Sequence, residues 1–322
     1  DLDDKMKANY MKANYLRARQ LIANGSYRMA IDCLKVAVYY SERGSRFNQL
    51  SRFWLAESYY RNDQYAESRD TYMDLYNVSA LYGSPESYLI TYNIAYTYYK
   101  EGKYEQARKW FSEYLSESSV RYRKDALERK ADCHFILKDY KGAAAAYDIV
   151  LKDYYNVNDI YPYYQAAISY GLEGDAGKKI DILTRVMDAS PEVQFYPEAL
   201  FELGRSYAVR EDDDNAFTCF RKLADTVKDS TFVAKAYIEM GSLSRNRSQY
   251  NEALGYYKKV VEEMPLSGYA EDALIAIESI YQTKNEPEEY IAYIETIGKG
   301  ATKTADEKED MIFNSAEQIF LS

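Results

Sequence analysis

A small residue returns at nearly fixed intervals along this chain: Ala18, Ala56, Ala95, Ala131, Ala167, Gly204 and Gly241, with Glu278 in the eighth place. The intervals are 38, 39, 36, 36, 37, 37 and 37 residues. Three residues on stand Leu21, Tyr59, Tyr98, His134, Tyr170, Tyr207, Ser244 and Tyr281, most of them large. A second column reads Ala30, Ser68, Ala107, Ala143, Lys179, Ala216, Ala253 and Tyr290. Four residues after each lies Leu34, Tyr72, Phe111, Tyr147, Leu183, Phe220, Tyr257 or Ile294. A repeat of this length cannot bury an apolar face alone, so successive copies must stack to build a core.

The unit at residues 88–119 shows what each copy is. Its first segment carries Ile94, Ala95 and Tyr98, and its second carries Tyr104, Ala107, Phe111, Tyr114 and Leu115. Apolar residues three and four apart mark helices. The polar stretch at 100–103 between them is short enough to force an antiparallel pair. Small residues let the two backbones approach closely, and the large ones are expected to fill the groove between neighbouring hairpins. With 14 glycines and 6 prolines in 322 residues, helix breakers are scarce. The expected fold is all-α, an α-solenoid of about eight hairpins forming one domain over residues 1–322. The units fall near 11–44, 49–82, 88–121, 124–157, 160–193, 197–230, 234–267 and 271–300. The extra length sits between hairpins, as at 77–87 and 156–162. Residues 305–322 read as the first helix of a ninth unit, because Ala316 lies 38 residues after Glu278. That helix either caps the array or belongs to a longer one, the second being preferred. The doubled MKANY at 6–15 matches no helical face and reads as a local duplication at the edge of the array.

The order small, aromatic, alanine, aromatic resembles the tetratricopeptide repeat (TPR), over residues 11–297. Pro191 and Pro265 fall at that repeat's closing proline. The resemblance implies a right-handed superhelix whose inner surface comes from the first helices. The stretch YNEALGYYKKVVEEMPLSGYAEDAL at 250–274 is similar to bacterial cell-envelope TPR proteins of the Tol–Pal-associated coordinator and β-barrel assembly lipoprotein type. YPEALFELGRSYAV at 196–209 has the same style. This resemblance implies a periplasmic or cell-envelope location, with the cytoplasm as the alternative.

Composition narrows the function. Lys plus Arg is 41 against 51 Asp plus Glu, for a net charge of −10. Nucleic-acid binding needs a basic footprint, so no nucleic-acid partner is expected. No apolar run approaches the ~18 residues of a transmembrane helix. Cys33, Cys133 and Cys219 are odd in number and far apart, and read as buried thiols. His134 is the single histidine and stands where other units place tyrosine, so it reads as a packing residue that cannot build a triad or a histidine metal site. The acidic run at 211–214 lacks the alternation of a calcium loop and reads as a solvated turn. No catalytic constellation, metal site or cofactor is expected.

Carried onto these residues, the TPR resemblance places Tyr15, Phe53, Tyr92, Tyr164 and Phe201 at one concave position, with Tyr60, Tyr96, Tyr99 and Phe135 beside them. Arg19, Arg61, Lys100 and Arg205 map near the same surface and could hold carboxylates. Some of these rings could instead pack between adjacent first helices. The Lys/Asn clamp that some TPR grooves use for a C-terminal carboxylate is absent from every unit. The expected function is a non-catalytic scaffold that binds a peptide or protein surface in this groove, through aromatic anchors that lose little entropy. The alternative is a glycan or peptidoglycan ligand stacked on Tyr92, Tyr96 and Tyr99. The protein partner's identity and the oligomeric state are left open.

Overall fold

The computed structural model describes residues 3–76, 81–117 and 121–321, which hold seventeen α-helices and no strand. Contacts divide the chain into two compact units, Asp1–Tyr155 and Asn156–Ser322. The first unit stacks four hairpins: α1 (Asp4–Ala23) with α2 (Tyr27–Tyr40), α3 (Arg46–Arg61) with α4 (Tyr65–Tyr76), α5 (Ile90–Lys100) with α6 (Tyr104–Ser116), and α7 (Arg123–Ile136) with α8 (Tyr140–Asp153). The second stacks α9 (Ile160–Leu172) with α10 (Ala176–Thr184), α11 (Tyr196–Val209) with α12 (Asp213–Thr226), α13 (Ser230–Asn246) with α14 (Tyr250–Glu263), and α15 (Ala270–Thr283) with α16 (Pro287–Thr296). There α17 (Ala305–Leu321) follows as a further first helix, packed on α16. The stretch expected at 77–87, the unit expected at 88–121 and the helix expected at 305–322 lie partly outside the described residues, at 77–80, 118–120 and 322.

All eight hairpins turn in the same way. One residue at each turn has positive φ: Gly25, Asp63, Gly102, Lys138, Gly174, Glu211, Ser248 and Asn285. Each lies seven residues after the repeating small residue of its unit. The next residue's N–H bonds back to a carbonyl five residues earlier, as in Gln64 to Tyr59 at 2.9 Å and Asp212 to Tyr207 at 3.0 Å. The left-handed residue bonds back by three, as in Gly174 to Gly171 at 3.1 Å. This paired closure is a Schellman cap, which satisfies the last carbonyls of the first helix and aims the chain into the second. It recurs in every unit although only three of the eight turns use glycine.

The two columns of small residues are the contact line within a hairpin. Ala18, Ala56, Ala95, Ala131, Ala167, Ala30, Ala107, Ala143, Ala216 and Ala253 are wholly buried. A Cβ added at Gly204 would meet the Phe220 ring at 2.6 Å, and one at Gly241 would meet Tyr257 at 2.7 Å. In these two hairpins the large side chain of the second helix therefore lies over the small residue of its own first helix, where the expectation placed it in the groove between neighbouring hairpins. Ser68, standing for alanine, donates its hydroxyl to the Ala56 carbonyl at 2.8 Å, so its polarity is satisfied inside the core.

Several expectations need adjustment. The doubled MKANY lies within one continuous helix, α1, capped by the Asp3 carboxylate, which accepts from the Met6 N–H at 2.7 Å. Cys133 and Cys219 are buried, and burial pushes each thiol up to about 12, whereas Cys33 is only half-buried. His134, mostly buried, also makes a polar contact: its Nδ1 lies 2.7 Å from an Asp139 carboxylate oxygen, across the turn of its hairpin. The acidic run is bridged as well as solvated, because Arg247 of the next hairpin holds Asp213 at 2.9 Å and Asp214 at 3.0 Å.

A tyrosine-lined pocket in the first unit

Tyr92, Tyr96 and Tyr99 follow one another along α5 at helical spacing, so their rings form a ridge toward α7. The α7 helix meets that ridge with acids. Asp125, in its first turn, accepts hydrogen bonds from the hydroxyls of both Tyr92, at 2.7 Å, and Tyr96. About two turns further on, Asp132 accepts from Tyr99 at 3.5 Å and from Tyr147 of α8. Rings brace the same residues: Tyr92 stacks on Tyr122 at 5.2 Å and tilts against Tyr114 at 5.1 Å, and Tyr96 meets Phe111 edge-on at 5.3 Å. Rings so held between adjacent first helices are rigid.

The pocket opens on the other side of the ridge, between α5 and α3. It encloses about 200 Å³ and is lined by Glu57, Tyr60, Arg61, Tyr92, Asn93 and Tyr96. Tyr60 forms its outer wall, with ring centroids 5.5 Å from Tyr65 and 6.5 Å from Tyr96. Glu57 lies at the floor. It accepts from Arg61 Nε at 2.6 Å and from the buried Tyr72 hydroxyl at 3.2 Å, and Asn93 Nδ2 donates to that hydroxyl at 2.9 Å. Arg61 thus arrives with its own carboxylate, which corrects the expectation of a cation left over for a ligand; its side chain is still half exposed, at 51%. Burial raises the phenols of Tyr92 and Tyr96 far above their usual range, and the Asp125 carboxylate adds to it. Tyr60 is pushed up to about 12 by burial, then by Tyr65 and Glu57. At neutral pH the walls are therefore uncharged phenols and ring faces, over one neutralised ion pair.

Four of the expected groove residues, Tyr60, Arg61, Tyr92 and Tyr96, meet at this pocket. Others do not. Phe53 is a core residue, 3% exposed, with its ring edge-on to Tyr72 and Trp54, so it offers nothing to a ligand. Arg19 lays its guanidinium over Trp54 at 3.6 Å, and Tyr15 packs on Phe47 at 5.2 Å. Tyr99 and Phe135 lean on the tyrosines that open their own second helices, Tyr104 and Tyr140, at 5.4 Å each. Lys100 is exposed at the end of α5. In the second unit, Tyr164 stacks on Phe195 at 6.0 Å, and Phe201 lies between Phe220 and Phe232. Arg205, 4.0 Å from both Glu202 and Glu239, lines a separate cavity of about 340 Å³ with Ile168, Leu172 and Val209. The sequence reading missed Glu57 and Asn93. Glu57 follows the repeating Ala56 and lies 15 residues before Tyr72; Asp132 stands 15 before Tyr147, and Ser242 the same distance before its own partner, Tyr257. That offset is the signal that could have found it.

Among the described residues, no group of three or more His, Cys, Asp or Glu side chains converges to hold a metal ion, and no helix is long and apolar enough to cross a membrane. Residues 92–164, and separately 51–77 and 198–230, match tetratricopeptide-repeat family profiles. A search of curated proteins finds no match. Among solved structures, the C-terminal part of a TPR repeat-containing protein from Cytophaga hutchinsonii superposes with a TM-score of 0.66 at 13% identity, covering 81% of this chain and 99% of that one. A tetratricopeptide repeat protein from Parabacteroides merdae gives 0.51 at 18% identity, covering 84% and 99%. At such identities the likeness is one of fold.

Proposed function

Taking the chain as one that carries tetratricopeptide repeats, we propose that it is a non-catalytic scaffold that holds an extended segment of a protein partner against the tyrosine pocket of its first unit. The observation that carries this reading is the pocket between α3 and α5, where four of the expected groove residues form walls fixed before any ligand arrives. Tyr92 and Tyr96 have their hydroxyls held by Asp125 and their rings held by neighbours, so binding costs them little further order. A volume of about 200 Å³ suits one side chain of a peptide and not a whole small-molecule cofactor. Arg61, half exposed beside the pocket, has N–H groups besides its Nε to offer a peptide backbone.

The glycan reading needs bare ring faces, and one face of Tyr92 is taken by Tyr122, which weighs against it. The cell-envelope location rests on the resemblance of residues 250–274, and fractionation of the native host tests it.

Selection of a random-peptide library on the immobilised chain tests the function. Peptides should be enriched on the wild type and lost on Tyr60→Ala and Arg61→Ala, which alter the exposed wall and rim. Enrichment that both variants retain, or binding of free oligosaccharides with no peptide bound, would overturn the proposal.

A further inference from the structure

A second site lies on the same unit, away from the tyrosine pocket, where α6 and α7 face each other. Arg108, Lys109, Ser112 and Glu113 of α6 and Lys130 and His134 of α7 line a cleft of about 400 Å³. Three cations converge there, and their local partners do not neutralise them. Asp139 is shared, 3.6 Å from Arg108 and 2.7 Å from His134. Glu113, on the rim, accepts the Tyr76 hydroxyl at 3.1 Å. Lys130 is half-buried and, among the described residues, makes no ion pair; burial, then the Arg108 guanidinium, lower its affinity for a proton. A desolvated ammonium beside a second cation is costly, and a bound anion would offset that cost.

We propose that this cleft binds an oxyanion of the phosphate class. Arg108, Lys109 and Lys130 come to it from two helices, while the Ser112 hydroxyl in its lining donates to the Arg108 carbonyl at 2.8 Å. Donors arriving from several directions suit the oxygens of a tetrahedral dianion better than the two of a carboxylate. The same chemistry is offered by free inorganic phosphate and by a phosphorylated side chain of a partner.

Titration calorimetry on the whole chain at fixed ionic strength, with inorganic phosphate, O-phosphoserine and acetate as probes, tests the site. Phosphate or O-phosphoserine should bind saturably and acetate far more weakly. Lys130→Met should weaken binding by about tenfold or more, the loss of one charge-assisted contact. Lys109→Met, at an exposed position that leaves packing alone, should weaken it less, and Lys222→Met in the second unit should leave it unchanged. Binding of inorganic phosphate alone assigns the site to the free ion, and tighter O-phosphoserine binding assigns it to a phosphorylated side chain; either upholds the cleft. Absence of saturable heat, equal binding of acetate, or wild-type affinity in both Lys130→Met and Lys109→Met overturns it.

Discussion

Ser248 turns the seventh hairpin at φ 58°, and Gly174 turns the fifth at φ 85°. Exchanging the chemistry of these two residues tests whether the turn conformation sets their contribution to stability. A left-handed conformation costs an L-residue about 1–2 kcal/mol. Glycine avoids that cost but loses about 0.5–1 kcal/mol more entropy on folding. The difference favours glycine by about 0.5–1 kcal/mol, so Ser248→Gly should stabilise the second unit by that amount. Ser248 is exposed and its change alters no charge, so no lost contact should mask the effect. In the reverse direction, a Cβ built at Gly174 meets no atom within 4 Å. Gly174→Ala should therefore lose a similar amount through backbone conformation alone. For a body of this size each kcal/mol moves the melting temperature by about 2–4 °C. Thermal and urea unfolding followed by circular dichroism should show the two variants moving in opposite directions, with unchanged denaturant slopes. A stabilised Gly174→Ala, or a destabilised Ser248→Gly, would refute the account of the turns.

Further expectations concern the first unit. Asp125→Asn removes the charged acceptor shared by Tyr92 and Tyr96; because Asp125 is 39% exposed, the loss should be about 1–2 kcal/mol in urea unfolding. Tyr60, Tyr72, Tyr92 and Tyr96 have folded pKa values above the unfolded value near 10. Their contribution is therefore complete below pH ~10 and is lost as pH rises through the folded values, so alkaline titration should unfold the unit above that pH. Arg19→Ala should remove a guanidinium stacked on Trp54, costing about 0.5–1 kcal/mol and shifting tryptophan emission.

The helices and their pairing were legible because the small and large columns repeat at fixed offsets, and each offset answers to one contact, as Gly241 under Tyr257 shows. The turns were legible in position but not in chemistry. Lys138, Glu211 and Ser248 give no sign of a left-handed backbone, which follows from the Schellman bonds and not from the side chain. The site was half legible. The resemblance to the tetratricopeptide repeat placed Tyr60, Tyr92 and Tyr96 on one surface, but could not tell Phe53, which points into the core, from Tyr92, which shares its repeat position. The hold of Glu57 on Arg61 was legible but went unread, since acid and base stand four residues apart on α3.

The most direct measurement of the central claim is photo-crosslinking of a selected peptide, with a photoreactive phenylalanine at position 60 in one protein and at the exposed position 39 in another. The account predicts a crosslink from position 60, competed by unlabelled peptide, and none from position 39. A crosslink from position 39 and none from position 60 would place the binding surface elsewhere and contradict it.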